Sequence, residues 1–208
     1  MSETDTTRPP VPPWDRREVA GLFDVETAAR RLGHYKWFEM RLFEIAGGWV
    51  ALTPEVDVKA RLGANCSHHA WHAELFHQRL PELADLHPAG LTAPANEEVA
   101  RFVDALAAPV EPSRTLERLV GLYRVAVPWA ASAYTFHLNR SSTVADAPTM
   151  RVLQLVLADL AADERDGEML IQSLLRGPDE VERAAAHQGS LERQMVAAGG
   201  IAGPGSAG

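Results

Sequence analysis

The chain has 208 residues, 46% hydrophobic and 23% charged, with a formal net charge of −8. That length suits one domain with a sizeable core, and the negative balance disfavours non-specific binding to nucleic acid or to anionic membranes. A single cysteine, Cys66, excludes an intramolecular disulfide and suits a reducing, cytoplasmic setting; no apolar run approaches the roughly 18–20 residues of a membrane span, and no signal peptide opens the sequence.

Residues 1–15 are polar and rich in proline (Pro9, Pro10, Pro12, Pro13), which predicts a loose arm. Alternating apolar patterns are nearly absent beyond it, and apolar residues recur at three and four, so 16–198 reads as one all-α domain. A first helix is predicted over Val25–Leu52. Thr53-Pro54 then reads as a stop and restart, with Thr53 as N-cap and Pro54 at the first position of a second helix that reaches about Leu80. A connection of about thirty residues follows, with a short helix near Asn96–Ala107. The third helix is predicted from Ser113, as cap, to Asn139, with a kink at Pro128; the fourth runs from Pro148 to near Arg176. A fifth covers Glu180–Ala197 with a break at Gly189, and the Gly/Ala-rich tail 199–208 is expected to fray. Helices one and two, and three and four, are tightly joined as antiparallel hairpins, and the long connection can cross the length of a bundle.

Four of the eight histidines (His68, His69, His72 and His77) fall within ten residues of the second helix. On the first helix, Glu39 sits within an apolar stripe of Ala28, Leu32, Tyr35, Leu42, Phe43, Ala46 and Val50, whereas Glu44 points away. On the second, His69 lies near the centre of a stripe containing Val58, Leu62, Asn65, Cys66, Ala73 and Phe76. His72 is to one side, His77 to the other, and His68 and Glu74 lie further out. Pairing about Pro54 sets Glu39 level with His69 and Tyr35 near His72. A carboxylate buried there needs a cation, a metal or a proton. Trp37, Trp49, Trp71, Phe43 and Phe76 read as packing residues, and a zinc site from Cys66, His69 and His72 lacks a fourth ligand. The third helix turns Tyr123 and Tyr134 inward, with Glu117 off the stripe. On the fourth, Asp163 and Glu164 straddle the stripe with Gly167 beyond them and Asp159 peripheral; the same acidic run also reads as a solvated face.

Glu39 and the run Glu74-Leu75-Phe76-His77, a Glu-x-x-His, resemble the ferritin-like superfamily of carboxylate-bridged di-iron and di-manganese bundles. The resemblance implies an antiparallel four-helix bundle with a long crossover between helices two and three and an extra C-terminal helix. It also implies an iron or manganese site. The motif departs from the family in three places. His69-Ala-Trp-His72 has the same spacing as Glu74 and His77 with better phase, helix three lacks a carboxylate, and Gly167 stands where a second histidine is expected.

Three readings follow. One is a metal-dependent oxidoreductase acting on a small organic molecule, with Glu39, His69, His72 and Asp163 or Glu164 as ligands and Glu74 and His77 as weaker ones. A second is a metal-free isomerase, cyclase or hydrolase that uses Glu39 with His69 or His72 as acid and base beside Tyr35, Tyr123 and Tyr134. The third is a non-catalytic ligand-binding bundle. In each case the expected partner is a small molecule rather than nucleic acid or membrane, and the fifth helix offers a homodimer surface.

Overall fold

The computed structural model describes residues 22–80 and 87–204, so the expected arm over 1–15 lies outside the described residues. The fold is all-helical. No helix among the described residues is long and apolar enough to cross a membrane.

Helix α1, Val25–Leu52, begins at Asp24, whose carboxylate accepts from Thr27 N–H at 2.7 Å. Thr53 ends it: both its backbone N–H and its hydroxyl donate to the Trp49 carbonyl. That hydroxyl is therefore spent on α1 and does not cap the next helix, contrary to expectation. Helix α2, Val56–His77, starts instead from Glu55, which leaves Pro54 before the helix rather than at its first position, and α1 and α2 pack as a long hairpin.

A single turn, α3 (Pro88–Leu91), follows and presses its backbone on Gly33; a Cβ there would lie 2.2 Å from the Leu91 carbonyl oxygen. Helix α4, Glu97–Ala107, is capped by Asn96 and buries Val99, Phe102, Val103 and Leu106, a spacing of three and four. The Asn96 amide also donates to the Ala198 carbonyl, tying the start of α4 to the far end of the chain.

Ser113 is not a cap, because Pro112–Arg114 forms a 3-10 turn and α5 runs over Thr115–Leu119. Next comes a π-helical segment, Val120–Ala126, closed by Val127 N–H on the Leu122 carbonyl five residues back. Helix α6, Val127–Asn139, carries Pro128 in its first turn. The disturbance expected at Pro128 thus falls in the preceding turns, where the missing proline N–H is absorbed by a wider helix.

Helix α7, Ala147–Leu174, buries Leu153, Val156, Leu160, Asp163, Gly167 and Ile171 along one stripe. Helix α8, Pro178–Ala198, runs unbroken through Gly189 and ends at Gly199 with φ 72°, the left-handed cap that glycine adopts freely. Ile201 is buried beyond it, so 199–204 is packed rather than frayed. Helix α7 packs on α6 and α2, and α8 covers α4, α5 and the π segment. Because α8 closes that side, Glu117 is buried rather than exposed, and accepts from Arg183 at 3.2 Å. Phe43 and Trp71, expected in the core, are 41% and 46% exposed on the outer side of the hairpin.

Candidate metal centre

Helical phase on α1 and hairpin register bring Glu39 against His69 and His72, and all three are completely buried. His69 Nδ1 lies 2.6 Å and His72 Nδ1 3.4 Å from the same oxygen, Glu39 Oε2. The other oxygen, Oε1, accepts from the Tyr134 hydroxyl at 2.6 Å. Outside the triad, His72 Nε2 lies 3.2 Å from Asp159 Oδ2 on α7. Groups from α1, α2, α6 and α7 therefore share one polar network inside an apolar core.

The electrostatics follow from that geometry. Burial pushes the Glu39 carboxyl upward, but the charges and hydrogen bonds of His69 and His72 outweigh it and hold the group well below the usual carboxylate range. Burial pulls the His72 imidazole down, yet Glu39 and Asp159 together raise it. Burial, reinforced by the Glu39 charge, pushes the Tyr134 phenol well above its ordinary value and keeps it a donor.

One oxygen of Glu39 and one nitrogen each of His69 and His72 lie within 4.8 Å of one another, the only such group of three among the described residues. Ligands of a single ion, each at about 2.0–2.2 Å, stand about 3–4 Å apart; the hydrogen-bonded triad, with pairs from 2.6 Å to no more than 4.8 Å, brackets that spacing and would adjust around one centre. His72 holds its outer nitrogen on a carboxylate, as metal-bound imidazoles do. His69 Nε2 is buried with no hydrogen-bond partner. A cation would replace the imidazole protons that now face Glu39 Oε2.

No protein-family model, curated protein or solved structure matches this chain.

Several expected residues lie elsewhere. Asp163 is buried but does not join the triad: it sits 2.9 Å from His68 Nδ1, one helical turn along α7 from Asp159. Glu164, a further 100° or so round α7, is exposed. Glu74 and His77 are exposed as well; Glu74 accepts from Gln78, and His77 Nδ1 lies 3.3 Å from Lys36 Nζ. Tyr35 is buried, but its ring packs tilted against Phe76 and edge-on to Tyr134, with no hydrogen bond to His72. Its hydroxyl accepts from Arg31 and donates to the Ala133 carbonyl, which leaves Tyr134 as the phenol on Glu39.

Asp159, peripheral by helical phase, joins the network through His72, and His68, likewise peripheral by phase, pairs with Asp163 and stacks on His72 beside it. Their signal is a matched spacing: His68 and His72 are four apart on α2, as are Asp159 and Asp163 on α7, and antiparallel packing pairs 68 with 163 and 72 with 159. Gly167 has a physical reason too. A Cβ there would lie 2.2–2.5 Å from Tyr123 ring atoms, so the tyrosine fills the space a side chain would need. Its hydroxyl donates to Asn65 Oδ1, and burial, with the Asp163 charge, pushes that phenol above its usual range.

Proposed function

We propose that this chain is a ferritin-like bundle enzyme that binds one divalent iron or manganese ion through Glu39, His69 and His72 and oxidises or oxygenates a small organic molecule, with dioxygen as oxidant. The observation that carries this reading is the convergence of one carboxylate and two imidazoles, fully buried, with donor atoms within 4.8 Å. Such a set suits Fe(II) or Mn(II), and three protein ligands leave positions open for water, oxygen or substrate. When bound, the ion would supply redox and Lewis-acid chemistry.

The protein's part is orientation and exclusion of water. Tyr134 fixes the Glu39 plane through Oε1 and leaves Oε2 facing the histidines. Asp159 holds His72 by Nε2 and presents Nδ1 inward. The ferritin-like reading of the fold is supported by the α1–α2 and α6–α7 hairpins and by the packing of α2 on α7, with the connection from α2 to α5 as the crossover. We place the protein in the cytoplasm; the apolar face of α8, expected to offer a homodimer surface, is buried instead against α4, α5 and the π segment.

A second reading draws on the 2.6 Å contact between Glu39 and His69, a direct hydrogen bond suited to metal-free acid–base chemistry. One experiment separates the two. Protein purified without chelator or nickel, then loaded anaerobically with Fe(II), is analysed by mass spectrometry beside Glu39→Gln and His69→Gln, with circular dichroism to verify folding. Near-stoichiometric iron or manganese in the parent, lost in folded variants, is the expected result. A parent that stays empty after loading removes the metal reading and leaves the acid–base one.

A further inference from the structure

We propose that the seam between α2 and α7 at His68, Asp159 and Asp163 is the port through which a divalent cation reaches the buried triad, an inference that rests on the metal reading above. Glu39, His69 and His72 are 0% exposed, so an ion must cross the protein shell to reach them. Among the described residues, two further side chains hydrogen-bond to the triad. Tyr134 is itself fully buried, whereas Asp159 keeps 33% of its side-chain surface in solvent while touching His72. Next to it, His68 is 38% exposed, and its ring stacks on His72 at 6.3 Å between centroids and 27° between planes. Asp163, 2% exposed, lies behind His68. Solvent is thereby linked to the buried ligand through Asp159, with the His68–Asp163 pair stacked beside it.

The opposite side is sealed. Tyr35, Phe76 and Tyr134 pack on one another in tilted and edge-on contacts, an aromatic wall that a hydrated cation crosses only at prohibitive desolvation cost. Charge favours the seam as well: Asp159 and Asp163 face α2 one turn apart, and Asp166, paired with Arg61 at 2.7 Å, lies at its edge, so the mouth keeps a negative balance that concentrates cations. The seam gathers no third donor, since the triad is the only three-donor group among the described residues. It can therefore pass an ion inward without retaining it.

A route and a ligand are separable kinetically. A residue on the route changes the barrier in both directions and leaves Kd unaltered, whereas a ligand changes Kd. The test follows uptake of cobalt(II) alone by stopped-flow absorbance in the full chain, with release measured by chelator competition. In His68→Gln/Asp163→Asn, association and dissociation should both slow tenfold or more at unchanged Kd. Ala64 is exposed one turn before His68, so Ala64→Lys tests the mouth without disturbing the core and should slow uptake severalfold. Glu97→Gln, on α4, removes an equal charge elsewhere and should leave the rates as they are. Unchanged rates in both seam variants, or a raised Kd with unchanged association, would overturn the port alone. A parent that takes up no cobalt would overturn the metal reading and the port together.

Discussion

Tyr134 is the least replaceable neighbour of Glu39, because its hydroxyl satisfies a carboxylate oxygen that no water reaches. Tyr134→Phe keeps the ring packing and deletes only that donor, which should destabilise the fold by about 1–3 kcal/mol, read as a lower midpoint of urea unfolding at unchanged m-value. His137 supplies a pH dependence with a definite sign. It is buried against Phe23 and Tyr35, and burial, with the positive charge of Arg31 second, lowers it from 6.5 to about 4. Its folded value is thus depressed, and between these limits the unfolded chain binds more protons than the folded one. The associated stability is fully present above pH 6.5 and is lost as pH falls towards about 4, amounting to about 3 kcal/mol. Unfolding curves for His137→Phe should be flatter over that window than those of the parent. Equal slopes would show that other groups dominate. At this scale the sequence disclosed Glu39, His69 and His72, since each lies on the inward face of its own helix. It hid His68 and Asp159 because their place is set by a partner helix, which phase along one chain segment does not specify.

Among the elements, the contact of α7 with the π segment is the tightest constraint. Tyr123 lies flat against Gly167, so Gly167→Ala must displace a buried ring that is also tethered to Asn65. Overpacking of this kind costs about 1–3 kcal/mol. Calorimetry should show the loss in Gly167→Ala and partial recovery in Gly167→Ala/Tyr123→Leu; additive losses would mean that the two residues do not share the space. Helix bounds were legible where a local cap sets them, as at Asp24 and Asn96. They were misplaced where a side chain has two uses, as with Thr53, or where a helix changes its winding, as over Val120–Ala126. Gly189 misled for another reason: packing of α8 on the core overrides a weak local propensity.

For the whole molecule, a ligand that binds only the folded state raises its stability. At a hundredfold excess of free ion over Kd the gain is about 2.7 kcal/mol, or about 5–10 °C in Tm for a chain of this size. Calorimetry with and without Mn(II) should show that rise in the parent and none in Glu39→Gln. The all-α class and the two hairpins could be read from apolar period and loop length, whereas the role of α8 as a cover for α4 and α5 could not, since no local pattern records which distant face a helix will meet. That long-range partnership also has a consequence for biosynthesis. Phe102 of α4 finds Phe38 of α1 as soon as both are made, but Leu106 converges with Leu191 of α8 over Gly121. About ninety residues separate the ends of α4 and α8. At typical elongation rates the ribosome needs roughly 5–20 s to supply them. For that interval the nascent chain displays the Leu106 end of α4 to chaperones, until α8 arrives to cover it.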